Sequence, residues 1–194
     1  MLRFRRYLCI RIILLASLTI PMSPAYAQRE DVGDQPGRIP DAADEVLPPR
    51  FQRQVVLYRT TEAPGTIIVH TSERFLYIVQ PNGRAIRYGI GVGRDGFQWQ
   101  GLLRITRKQE WPDWTPPPEM LKRRPDLPRH MDGGPDNPLG ARAMYLGSSL
   151  YRIHGSNEPW TIGTNVSSGC IRMRNEDVVD LYRRVRVGTK VVVM

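Results

Sequence analysis

Cys170 sits in the run Ser-Ser-Gly-Cys-Ile-Arg-Met (Ser167 to Met173), sixteen residues after His154. A free thiol has a pKa of about 8.5, so only a few per cent is nucleophilic thiolate at neutral pH. A nearby imidazole can take the proton and stabilise the resulting ion pair. Cys170 and His154 are therefore candidates for nucleophile and base in an acyl transfer. Gly169 would let a substrate carbonyl approach the sulfur, and amides around Gly169 and Cys170 could hold the developing oxyanion. Ser167 and Ser168 are candidate hydrogen-bonding supports, and Gly155 relaxes the backbone beside the base. Arg172 shares a face with Cys170 if the segment is extended, which would suit it to a substrate carboxylate. Each residue also has a plainer reading. A lone cysteine is often a small core residue, a lone histidine a satisfied hydrogen-bonding group, and paired serines belong in turns. His70 follows a strand pattern, and His130 lies in a proline-rich stretch that could reach the site.

The elements that must position these residues are mostly strands. Thr66 to Val69, Arg74 to Val79, Ala85 to Val92 and Leu102 to Thr106 are short runs rich in β-branched and aromatic residues. Pro81-Asn82-Gly83 is a hairpin turn of the I′ or II kind. Ala143 to Leu146 and Leu150 to Ile153 read as a further hairpin, which puts His154 at the end of a strand. Short strands with regular turn signals predict a β-sandwich or barrel-like sheet. Asn175 reads as a helix N-cap, with Glu176 and Asp177 in the first turn. Val178, Leu181, Tyr182 and Val185 then give the i, i+3, i+4, i+7 stripe of one short amphipathic helix. Gly188 is expected to end it, and Lys190 to Met194 to form a central strand. Between Glu110 and Pro138 the chain is rich in proline and carries Trp111 and Trp114. Such a segment is either a functional lid or a packed rigid loop, with a short helix near Pro117 to Arg123. No internal repeat is evident.

The first residues have the pattern of an export signal. Arg3, Arg5, Arg6 and Arg11 precede a short apolar core, and Ala25-Tyr26-Ala27 is a small-residue cleavage site. The expected organisation is a signal peptide at 1–27, a flexible linker at 28–54 and one domain at 55–194. Cys9 lies inside the leader, so export leaves Cys170 without an intramolecular disulfide partner. One cysteine and three histidines do not suggest a structural zinc site, which usually takes four ligands. The four leader arginines account for four of the formal +9, leaving +5 for residues 28–194. That charge suits an anionic polymer such as a cell wall. No basic stripe interleaved with aromatics points to nucleic acid.

The runs Ile-His-Gly-Ser-Asn-Glu-Pro-Trp-Thr-Ile-Gly (153–163), Ser167 to Met173 and Asn-Glu-Asp-Val-Val-Asp-Leu-Tyr (175–182) together resemble the signature of the L,D-transpeptidase (YkuD-type) family. Leu76 to Gly93, Glu110 to Met120 and Gly133 to Gly147 are similar to the same domain. The resemblance spans roughly Val55 to Met194. It implies a mostly β, sandwich-like catalytic domain with a long proline-rich loop and one helix after the cysteine. It implies Cys170 as nucleophile and His154 as catalytic histidine, with Ser167 opening the cysteine motif. Arg172, Trp160 and Asn175 become candidates for substrate binding. No cofactor and no metal is implied. The donor would be a peptidoglycan stem tetrapeptide, losing D-alanine to leave a thioester on Cys170. An amine from a second stem would resolve the thioester as a 3→3 cross-link. Water, a free D-amino acid or a lysine of an outer-membrane protein are alternative acceptors, and a wall-binding module with a vestigial site is the non-enzymatic alternative. The resemblance further implies carbapenem sensitivity and a periplasmic location. Ser168 stands where the family motif commonly has histidine. A papain-like arrangement would place cysteine before histidine, the reverse of the order here.

Overall fold

A computed structural model describes residues 47–194. Residues 1–46, which include the expected signal peptide and most of the expected linker, lie outside the described residues. β1 (Gln54–Leu57), β2 (Ile67–His70), β3 (Phe75–Gln80) and β4 (Arg84–Gly89) come first, followed by the short β5 (Val92–Gly93). β6 (Gly101–Glu110) is the longest strand. After it come α1 (Pro118–Arg123), the hairpin β7 (Arg142–Leu146) and β8 (Arg152–His154), β9 (Asn165–Ser167) and β10 (Ile171–Arg172). The last elements are α2 (Asn175–Arg184) and β11 (Lys190–Val193). Nine strands make one ladder in the order β1-β4-β3-β2-β11-β6-β7-β8-β10, and β5 pairs separately with β9. No helix among the described residues is long and apolar enough to cross a membrane.

β6 joins two parts of the ladder. Gly101 to Arg104 pair with β11, whereas Ile105 to Glu110 pair with β7, and the register slips between Ile105 and Arg107. A bulge of this kind bends a strand and re-aims it. Alternate residues from both parts fill one core: Ile67, Val69, Leu76 and Ile78, then Val191 and Val193, then Met144, Leu146, Ile153 and Ile171. α2 closes that core with Val178, Leu181 and Val185, the stripe expected from the sequence. Tyr88 of β4, fully buried, donates to the Asp180 carboxylate of α2 at 2.6 Å, satisfying its hydroxyl.

The mostly β reading holds, as do the helix at α2, the short α1 and the central place of β11. Several local expectations differ. α2 ends at Arg184, and Gly188 (φ +92°) serves the turn before β11 instead. The N-cap is Arg174, with Asn175 the first helical residue. The Asn175 side chain reaches across the fold, where its Oδ1 accepts the Ala141 amide at 2.9 Å. β6 runs four residues further than the pattern suggested. Packing also begins before Val55: Leu47 and Phe51 are buried against Ile162 and Phe75. In the β3–β4 turn, Asn82 and Gly83 both take positive φ (61° and 65°), the conformation that Asn-Gly favours.

Candidate active site

The site is built on the parallel ladder between β8 and β10. Its register pairs Ile171 with Ile153 and Arg172 with His154. Side chains alternate along a strand. Ile153 and Ile171 therefore point together into the core, where both are buried. His154 and Arg172, with Arg152 and Cys170 two residues before them, point together to the other face. There all four line a cleft of about 200 Å³. The rest of the wall is largely apolar and comes in part from the proline-rich segment, including Trp114, Pro117, Met120 and Pro138.

His154 is buried in the cleft wall. Its Nδ1 hydrogen-bonds the Gly155 carbonyl at 2.5 Å, so Nδ1 carries the proton and Nε2 is left as the acceptor. Burial, and then the positive charge of Arg172, push the imidazole down to about 3, against a smaller opposing effect of the Gly155 bond. His154 is thus a neutral imidazole at physiological pH, in the tautomer a base requires.

The turn carrying Cys170 is fastened by Ser167. Its Oγ donates to the Cys170 carbonyl at 2.5 Å and accepts the Gly169 amide at 3.2 Å. That second bond commits the Gly169 amide to the turn. Gly169 itself has φ +101°, and a Cβ there would lie 2.6 Å from Cε1 of Tyr151. Trp99 stacks on Tyr151 with ring centroids 4.4 Å apart and donates Nε1–H to the Gly169 carbonyl at 2.8 Å. The Cys170 thiol donates to the Leu150 carbonyl at 3.7 Å rather than to His154.

Of the residues singled out in the sequence, Cys170, His154, Ser167, Ser168 and Arg172 line the cleft. Gly169 shapes the turn behind it. Gly155, Trp160 and Asn175 are not part of the lining. Asn175 packs where side chains at Gly140 or Gly155 would clash with its Oδ1, so it joins the loop before β7 to the loop after His154. Trp160 sits on the short 3-10 turn Pro159–Thr161. Arg172 already has a carboxylate, since its Nη1 lies 2.9 Å from Oε2 of Glu158 and both side chains are buried. The sequence reading passed over Glu158 and Arg152. Arg152 was recoverable from the two-residue period back from His154, and Glu158 lay inside the histidine motif. His130 bonds to Thr115 and Asp132 outside the cleft. With Asp113 and Asp132 it forms an exposed group whose ligand-type atoms lie within 4.8 Å of one another.

Residues 64–193 match the model of the YkuD L,D-transpeptidase catalytic domain. Over 160 residues the chain is 39% identical to "Probable L,D-transpeptidase ErfK/SrfK" of Escherichia coli, covering 76% of this chain and 51% of that protein. The E. coli protein "Probable L,D-transpeptidase YbiS" is 36% identical, with 71% and 47% covered. The chain thus spans about half the length of these curated relatives. A crystal structure from Brucella melitensis described as a "Probable carnitine operon oxidoreductase caia" is 49% identical, covering 76% of this chain and 96% of that one, with a TM-score of 0.51. Gly91, Gly93 and Gly96 do have the spacing of a dinucleotide-binding turn. That fingerprint requires a strand running into a helix, however, and here β5 continues through a turn to β6. An L,D-transpeptidase from Mycobacterium smegmatis shares the fold at 17% identity and a TM-score of 0.52, covering 66% of this chain and 58% of that one.

Proposed function

Because the chain belongs to the L,D-transpeptidase catalytic-domain family, we propose that it is a peptidoglycan L,D-transpeptidase acting through a thioester on Cys170. The observation that carries this reading is the cleft shared by His154, at the end of β8, and Cys170, on the turn that leads directly into its neighbour β10. The imidazole tautomer set by Gly155 supports it further. A strand holds His154 and a turn fastened by Ser167 holds Cys170, so both groups are fixed in place, as acyl transfer requires.

In the proposed reaction the thiol proton passes to Nε2 of His154 as Sγ attacks the donor carbonyl. The carbonyl electrons move to oxygen, where the Cys170 amide would donate to the developing charge, since the Gly169 amide is already engaged by Ser167. When the tetrahedral intermediate collapses, the bond to D-alanine breaks and the leaving amine takes the proton from His154. The donor remains as a thioester. An acceptor amine then attacks that carbonyl and loses its proton to His154, and Cys170 leaves and regains its proton. One amide has been exchanged for another, with no net hydrolysis and no need for ATP. Ser167 holds the nucleophile's turn, and Arg152 and Arg123 give the cleft a cationic side for a stem-peptide carboxylate. Export by the leader at 1–27 and a periplasmic site of action belong to the same proposal.

Incubating the chain with disaccharide-tetrapeptide, and following protein and muropeptide masses together, tests it. The expected outcome is an adduct on Cys170, loss of D-alanine and a 3→3 dimer, all abolished in Cys170→Ala and nearly so in His154→Ala. Tripeptide without dimer would transfer the acceptor role to water or to an absent protein amine. Unimpaired turnover by His154→Ala would remove the base from the mechanism.

A further inference from the structure

Arg172 creates a difficulty for the base. It is the register partner of His154 on the adjoining strand. It is held there from the other side as well, because its amide and carbonyl pair with those of Gly91 in an isolated antiparallel bridge. An uncompensated guanidinium in this position opposes any positive charge on the imidazole. Yet the imidazole must become positive for an instant, when it takes the thiol proton.

Glu158 is placed to relieve this. Its carboxylate meets the guanidinium at 2.9 Å, and the two side chains are only 9% and 5% exposed, so solvent hardly screens the pair. Its backbone is fixed in the loop that follows His154. The Glu158 amide donates to Ser156 Oγ at 2.9 Å, and its carbonyl accepts the amide of Thr161 at 3.0 Å and the hydroxyl of Thr161 at 2.7 Å. Glu158 and Arg172 both face the cleft alongside Cys170 and His154. Nothing about the fold demands a carboxylate here, because a buried ion pair is often no more stable than apolar residues of the same size.

We propose that Glu158 is a positioning residue of the acyl-transfer site, whose carboxylate balances Arg172 so that His154 can accept the Cys170 proton. The inference rests on the roles given above to Cys170 and His154. The step is a single proton transfer from Sγ to Nε2, and Glu158 and Arg172 keep their own protonation states throughout. It also reassigns Arg172, which acts on the imidazole and not on a substrate carboxylate.

Charge arithmetic gives a test that a purely structural role would fail. D-alanine release from disaccharide-tetrapeptide is measured for the full chain and three variants, with folding checked by thermal melting and by iodoacetamide labelling of Cys170. Glu158→Gln leaves one uncompensated positive charge. It is expected to slow release about 10- to 100-fold, the range for one charge about 6–12 Å away at an effective dielectric constant of about 20. Glu158→Gln/Arg172→Met restores the zero net charge of the pair, with the Arg152 cation unchanged in every variant, and should recover at least about fivefold over Glu158→Gln. Arg172→Met leaves a negative charge that favours the imidazolium, so it should match or exceed the double variant. Release by Glu158→Gln within twofold of wild type overturns the proposal, as does a double variant no faster than Glu158→Gln. If Glu158→Gln does not fold, the remaining pair decides, and an Arg172→Met slower than the double variant overturns it. A wild-type chain that releases no D-alanine and forms no Cys170 adduct would instead refute the transpeptidase reading itself.

Discussion

Replacing Gly169 with alanine should damage the domain through two separable effects. The first is backbone strain. Gly169 has φ +101°, a region that costs an L-residue about 1–2 kcal/mol. The second is crowding, since the new Cβ would lie 2.6 Å from Cε1 and 3.1 Å from Cδ1 of Tyr151, and 3.2 Å from the Phe97 carbonyl. Tyr151 cannot move aside freely, because it is stacked on Trp99 and Trp99 is bonded to the Gly169 carbonyl. Forcing a methyl into such a contact costs about 1–3 kcal/mol. The total is about 2–5 kcal/mol, or a fall in Tm of about 5–15 °C for a domain of this size. Gly188→Ala is the internal control. Gly188 has a similar φ of +92°, but nothing lies within 4 Å of a Cβ there. It should show the strain alone, about 2–6 °C. Thermal melts followed by circular dichroism, with urea titrations to confirm unchanged m-values, would measure both. If Gly169→Ala melts no lower than Gly188→Ala, the Tyr151–Trp99 wall is softer than its stacking implies and the crowding argument fails.

Three other outcomes follow from the same physics. His154 is pushed from an ordinary value of 6.5 down to about 3 in the fold, so the unfolded chain binds its proton first. Its stabilising contribution should be complete above pH 6.5 and be lost as pH falls towards 3, and urea midpoints against pH should flatten over that window in His154→Asn. Asp177 behaves in the opposite sense. Burial pushes it up to about 6 despite Arg53 at 3.8 Å, because desolvation outweighs so distant a cation. Asp177→Asn should therefore gain stability above pH 6 and gain little at pH 4, by the same titrations. Phe51→Ala should lower stability by about 3–5 kcal/mol in chemical denaturation, as expected for a buried aromatic and not for a residue of a tether.

The contrast between Phe51 and Cys170 indicates what sequence can disclose. The candidate groups Cys170 and His154 are legible as a pair because types and spacing suggest chemistry directly, and the two-residue period of a strand then indicates which neighbours share their face. α2 was legible because its apolar stripe repeats locally. Residues 47–51 lack any such period, and their burial depends on Ile162 and Phe75, which are remote in the chain. The β8–β10 and β2–β11 pairings are parallel and long-range, with no hairpin turn to announce them. Asn175 was misread because its local context favours a cap, whereas the tertiary partner at Ala141 claims its side chain. Glu158 was missed for a related reason. A carboxylate four residues after a histidine has no special meaning until the register of another strand brings Arg172 beside it.

β11 has a consequence for the order in which the protein can be made. Lys190 to Val193 lie between β2 and β6, pairing with both, so within the nine-stranded ladder β1 to β4 join β6 to β10 through these four residues. A growing chain cannot close its sheet until those residues have left the ribosome. Until then β2 and the first half of β6 each present an unpaired edge. Contacts this remote in sequence also slow folding once the chain is complete. The two parts of the ladder therefore stay separate until β11 has been made.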